Sequence, residues 1–276
     1  LNFLKVNCIE IPIIQRDYAQ GRLGKEHLRR AFLFDIKNAL DNKKEMELDF
    51  VYGSFENEKF SPLDGQQRLT TLWLLHWYIA LISGNLNKDV CDVLKKFTYE
   101  TRISSREFCM NLCKPENFEN YGEYKKADGR RIVDFIINRT WFYSEWKQDP
   151  TIQSMLRMLG GTKIDGKIDG FEEVFCESID KKIEEYWESL TSDTAPIVFY
   201  RLSLNNLVSS DDLYIKMNAR GKQLTPFENF KADLIGFLEK NGDDSDLKEK
   251  ISGNLDTSWT DIFWKNKSED CRIDDI

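Results

Sequence analysis

From Leu69 to Asn87 the chain carries no Asp, Glu, Lys or Arg. Leu69, Leu72, Trp73, Leu75, His76 and Ile79 fall in a helix predicted over 66–83, and a helix without a charged face has to be enclosed by the rest of the fold. An uncharged run also raises the question of a membrane span. Here Thr70, Thr71, His76, Ser83, Gly84, Asn85 and Asn87 leave the apolar part too short to cross a bilayer, so a buried central helix is the better reading.

The segment that leads into this helix is Asp64-Gly65-Gln66-Gln67-Arg68. It joins an extended apolar stretch, Phe50 to Phe55 plus Phe60 to Leu63, to the first helical turn. Phosphate sites are often built this way. Gly65 lets a ligand approach the backbone, the N–H groups of the helix start favour an anion, and Arg68 offers a planar fork of donors. The structural alternative is that Asp64 caps the helix and Gly65 merely turns the chain.

The 276 residues include 39 basic and 47 acidic side chains, a net charge of −8 that disfavours nonspecific binding to nucleic acid through its phosphates. Residues 239–276 hold 11 acidic against 6 basic side chains, so the remainder is nearly balanced and local basic patches stay open. The six cysteines, at 8, 91, 109, 113, 176 and 271, form no C-x-x-C pair, which fits reduced thiols in a cytoplasm. Cys109 and Cys113 would share a helix face, but the spacing of a zinc site is absent. No signal peptide is recognised at the start.

Hydrophobic spacing predicts an α+β chain that is predominantly helical. Helices are expected over 25–42, 66–83, 87–96, 104–113, 129–147, 150–159, 171–190, 210–219, 226–240 and 244–264, and strands over 5–12, 49–55, 58–63 and 196–204. In the first helix Leu28, Ala31, Phe32, Ile36, Ala39 and Leu40 form the apolar face, with basic residues between them. Lys163-Ile164-Asp165-Gly166 is repeated at once as Lys167 to Gly170, a loop signature. Three parts follow: 1–85 with the strands and the first motifs, a helical middle over 86–195, and a C-terminal part over 196–276. Trp259, Ile262, Phe263 and Trp264 suggest an apolar helix face that wants a partner, so the chain is expected to be the N-terminal region of a longer protein.

Two further segments bear on the site. Ile11-Pro12-Ile13-Ile14-Gln15-Arg16-Asp17-Tyr18 is held extended after Pro12, placing Gln15 and Asp17 on one side and Arg16 and Tyr18 on the other. Tyr214 to Leu224 contains Asn218-Ala219-Arg220-Gly221, where Gly221 can end a helix and Asn218 and Arg220 can project from its C-terminal end. Arginines and amides converging from separate segments would suit a triphosphate and its base or ribose.

These three segments, in this order, resemble the DUF262 family, which includes the N-terminal part of GmrSD-type modification-dependent restriction enzymes. The family pattern is IP-x-x-QR, then DGQQRLTTL, then N-x-RG-x-x-L; the run Asp64 to Leu72 carries the second without a break. The resemblance spans about residues 10–240. It implies a ParB- and sulfiredoxin-like fold, with a small mixed sheet carrying the motifs, a large helical insertion and a helical C-terminal part. It also implies a regulatory domain that binds and hydrolyses nucleoside triphosphates and senses modified phage DNA, while a separate HNH nuclease domain of the DUF1524 type cuts. On that reading Gln15, Arg16, Tyr18, Gly65, Gln66, Gln67, Arg68, Asn218 and Arg220 bind nucleotide. Asp64 and Arg68 would be catalytic, with Asp64 placing Mg²⁺ or water. A non-hydrolysing ParB-like nucleotide or DNA sensor using the same pocket is the alternative, and assembly into a homo-oligomer stays open. No HNH centre is expected here, because His27 and His76 lie in predicted helices without such surroundings.

Overall fold

The computed structural model describes residues 1–12, 21, 24–56, 58–100, 102–126, 130–162 and 169–203, with 234, 251 and 254 beyond them. Gln15, Arg16, Asp17, Tyr18, Asn218 and Arg220, most of the helices expected over 210–264, and residues 163–168 of the repeat lie outside this set. In chain order the elements are α1 (Asn2–Val6), β1 (Cys8–Ile11), α2 (Glu26–Asn42), β2 (Met46–Glu56), β3 (Lys59–Pro62), α3 (Gln66–Ile82), α4 (Lys88–Leu94), β4 (Phe97–Tyr99), α5 (Ile103–Leu112), α6 (Tyr121–Lys125), α7 (Ile132–Ile137), α8 (Pro150–Gly160), α9 (Phe171–Val174), α10 (Cys176–Thr191) and β5 (Ile197–Ser203). The chain is α+β and mainly helical, as the spacing predicts.

Among the described residues five strands form one mixed sheet in the order β4-β1-β3-β2-β5. β1 runs parallel to β3 and β4, and β2 runs antiparallel to β3 and parallel to β5. The β2–β3 hairpin turns through Glu58 at φ 65°. Along β2 the inward residue Val51 is fully buried, while Phe50 on the other face is exposed, the alternation of a sheet covered on one side.

α3 is the hub. Leu69, Trp73, Leu74, Leu75, Trp77, Tyr78 and Ile79 are all buried, and α4, α8 and α10 pack around it. Several of its polar side chains are bonded inside the fold. Thr70 and Thr71 hydroxyls donate to the carbonyls of Gln66 and Gln67, and the Trp73 and Trp77 indoles donate to those of Leu94 and Leu112 at 2.9 and 2.7 Å. His76 Nδ1 donates to the Leu72 carbonyl at 2.7 Å, which leaves Nε2 to accept from the Leu1 nitrogen at 3.1 Å. Burial holds the His76 imidazole down at about 3. One hydrophobic core runs from Leu4 through α3 to Leu190.

Several local expectations are corrected. The strand expected over 5–12 begins as α1, whose Phe3 ring packs edge-on against Phe60. β4 and α6 were not foreseen; three and five residues give too little periodicity to read. The helix expected over 129–147 stops at Ile137, and a 3-10 turn follows at Ser144–Gln148. The intervening Trp141 and Phe142 join the aromatic cluster around Phe108 and Trp146. The apolar face of α2 is rotated: Leu28 and Ala31 are exposed, whereas Arg29, Leu33, Ile36, Ala39 and Leu40 are buried.

Arg29 is buried because its charge is met. Its guanidinium contacts the Asp169 carboxylate and donates to Thr162 Oγ1 at 2.9 Å, and the Thr162 N–H donates to the other Asp169 oxygen at 2.7 Å. Glu172 makes a comparable junction, accepting from Lys125 and from the Ile132 N–H at the start of α7.

Candidate functional site

The motif loop leaves β3 at Pro62. The N–H groups of Leu63 and Asp64 both donate to the Tyr52 carbonyl, at 2.7 and 3.2 Å, closing the hairpin end. Gly65 then turns the chain into α3 with φ 83° and ψ 4°. A Cβ on Gly65 would stand 2.8 Å from Val51 Cγ2, so both the backbone angle and the lack of space require glycine.

Gly65, not Asp64, occupies the N-cap position of α3. The structural alternative, in which Asp64 caps the helix, therefore does not hold. The Asp64 carboxylate makes no capping hydrogen bond to the helix and pairs instead with Arg68, one turn later, at 3.1 Å. Its side chain stays 54% exposed.

Arg68 is spent on the sheet. Nη1 donates to the Leu48 carbonyl at 2.5 Å and Nη2 to the Phe50 carbonyl at 3.0 Å, besides the bond to Asp64. Carbonyls two residues apart leave an extended strand along one edge, so those of Phe50 and Leu48 continue the edge on which Tyr52 meets Leu63. Arg68 therefore stands where β3 would have to extend to keep pairing β2. The β2–β5 register shifts between Glu47 and Phe50, in the same stretch. Gln66 also reaches back, donating from Nε2 to the Pro62 carbonyl at 2.9 Å. Gln67 is half-buried; its carbonyl accepts from Thr71 at 3.0 Å, and its side-chain amide makes no hydrogen bond among the described residues.

Beside this loop lies an aromatic surface that the sequence reading missed. Phe50 and Tyr200 are 44% and 48% exposed with ring centroids 5.5 Å apart, and Tyr52 lies 6.1 Å from Phe50. Tyr200 donates its hydroxyl to Glu47 at 3.0 Å. The signal was the spacing of two between Phe50 and Tyr52, which sets both on the outer face.

A separate cavity of ≈ 560 Å³ opens between α1, α3 and β5. Leu72, Trp73, His76, Ile197 and Phe199 are among its lining residues, and none of Asp64 to Arg68 is. Cys91, Cys109 and Cys113 are buried elsewhere in the core, where burial pushes the Cys91 thiol up to about 11 and raises those of Cys109 and Cys113 well above the ordinary range. Such thiols are poor metal ligands. Among the described residues no three His, Cys, Asp or Glu gather as a metal site, and no helix is long and apolar enough to cross a membrane.

The structure thus brings Asp64, Gly65, Gln66, Gln67 and Arg68 together at one helix start. Residues 1–235 match the family model described as GmrSD restriction endonuclease, N-terminal domain. No curated protein and no solved structure matches the chain.

Proposed function

This chain belongs to the family of GmrSD restriction endonuclease N-terminal domains, and we propose that it acts as the nucleoside triphosphate-binding and hydrolysing regulatory domain of a restriction system. In this reading it couples recognition of modified DNA to an HNH-type nuclease carried in the same or another chain. The observation that supports it is the Gly65 turn. A side-chain-free residue at φ 83° opens a helix of 17 residues beside an exposed carboxylate, and the first turn of such a helix presents N–H groups outside its own ladder.

Phosphates lie against the start of α3. Asp64 would supply one oxygen ligand of the kind Mg²⁺ takes, and a bound Mg²⁺ would neutralise phosphate charge. The family resemblance implies Gln15, Arg16, Tyr18, Asn218 and Arg220 as further nucleotide-binding residues, and all five lie outside the described residues.

One observation favours the second reading, a sensor that binds without turnover. Arg68 is engaged with two backbone carbonyls, so it is not poised to meet charge developing in a transition state. Phosphate release from each of the four Mg²⁺-nucleoside triphosphates separates the two. Release that disappears in Asp64→Ala supports the triphosphatase, binding without release supports the sensor, and neither binding nor release rejects both.

A further inference from the structure

α2 turns two faces to different surroundings. Arg29, Leu33, Ile36, Ala39 and Leu40 are buried, and α9, α10, β2 and β5 pack around the helix. Arg29 reaches Asp169 from the buried side, which ties α2 into the fold. His27, Leu28, Ala31, Phe34, Asp35 and Asn38 are exposed. They recur at spacings of three and four residues, so they form one continuous stripe along the outer face. Leu28 is 56% exposed and Phe34 40%, and the Arg30 guanidinium lies 5.4 Å from the centre of the Phe34 ring.

The order of residues in this stripe is symmetric about Ala31. Leu28 stands three positions before it and Phe34 three after; His27 stands four before and Asp35 four after. A second α2 laid antiparallel on the first, with the two-fold axis at Ala31, sets Leu28 against the partner's Phe34 and His27 beside the partner's Asp35. Apolar then meets apolar and an imidazole donor meets a carboxylate, and the symmetry makes each contact twice. The small Ala31 side chains at the axis let the two helices approach closely. His27 and Asp35 make no hydrogen bond or ion pair among the described residues, so neither gives up a partner to join. Nucleic acid fits the stripe poorly, because its phosphates are met by cations and Leu28, Ala31, Phe34 and Asp35 offer none.

We propose that the outer face of α2 is a docking surface for a second copy of this chain, an antiparallel two-fold helix pair centred on Ala31. The surface is one helix wide, which places it with the small, transient interfaces of less than about 1,200 Å². Association therefore depends on concentration.

The test is sedimentation equilibrium of the whole chain from about 1 to about 500 μM. It takes the wild type, Leu28→Asp, Asp35→Lys and the double variant His27→Glu with Asp35→Lys. All of these side chains are on the surface, and equal thermal midpoints at low concentration establish that each variant is folded. The wild type is expected to rise from 32.5 kDa toward twice that mass. Leu28→Asp stays at the single-chain mass, Asp35→Lys associates about tenfold more weakly, and the double variant, with the charges exchanged, regains association. Ala31→Cys reads the register: under mild oxidation it links two chains beyond the wild-type level, and Cys at the exposed Asn138 does not. A wild type that remains at 32.5 kDa throughout overturns the proposal and leaves the stripe to a different partner. Association that Leu28→Asp does not weaken overturns it as well, since another face then joins the copies. A double variant that fails to recover overturns the antiparallel register.

Discussion

Gly65 and Val51 are packed so closely that a Cβ on the glycine would stand 2.8 Å from the valine Cγ2. The contact joins the turn before α3 to the middle of β2, and it is made at a backbone angle that L residues adopt with strain. Gly65→Ala is therefore expected to lose about 2 kcal/mol or more of stability, part from the angle and part from the clash. Val51→Ala in the same chain relieves only the clash. Urea unfolding of the single and double variants should show partial recovery, and full additivity of the two losses would argue against the contact.

The buried Arg29–Asp169 pair gives a second expectation. Asp169→Ala leaves a guanidinium enclosed without its counter-charge and is expected to cost about 3–5 kcal/mol. Replacing both residues with apolar side chains of similar volume should cost far less than removing Asp169 alone. Midpoints in urea at constant m-value measure both.

Stability should fall with acid in two windows. The His76 pKa is lowered by burial to about 3, from an ordinary 6.5. Between those values the unfolded chain binds the proton and the folded chain does not, so stability declines as pH falls from about 6.5 toward 3, with a slope of up to about 1.4 kcal/mol per pH unit. Unfolding of His76→Gln across this range should show a flatter profile.

Asp41 acts lower. Burial tends to raise its carboxyl, but hydrogen bonds from Lys37, Tyr186 and Lys182 and the charge of Lys37 outweigh it and hold it at about 2, below the ordinary 3.8. Its contribution is complete above pH 3.8 and is lost as pH falls through 2. Asp41→Asn should be less stable at pH 7 and should converge with the wild type in strong acid.

The central helix was legible because nineteen residues without a charge leave few alternatives to burial, and the hairpin before it because β-branched and aromatic residues concentrate there. The face of α2 was misread by a fraction of a turn. A buried Arg29 has the periodicity of a surface residue, and its partners Thr162 and Asp169 are more than 130 positions away. The hydrogen bonds of Arg68 were hidden for a similar reason. A sequence shows an arginine at a helix start, but not that two main-chain carbonyls 18 and 20 residues earlier leave the strand toward it. The loop itself, with its obligatory glycine and helix start, was in the sequence; which of its side chains face the fold was not.

Thermal unfolding of the wild-type chain with each Mg²⁺-nucleoside triphosphate tests the central claim most directly. At about a hundred times the dissociation constant a bound nucleotide adds roughly 2.7 kcal/mol, a clear rise in the midpoint. The expected result is such a rise with at least one of the four. A midpoint that none of them moves at millimolar concentration would contradict a nucleotide site at the start of α3.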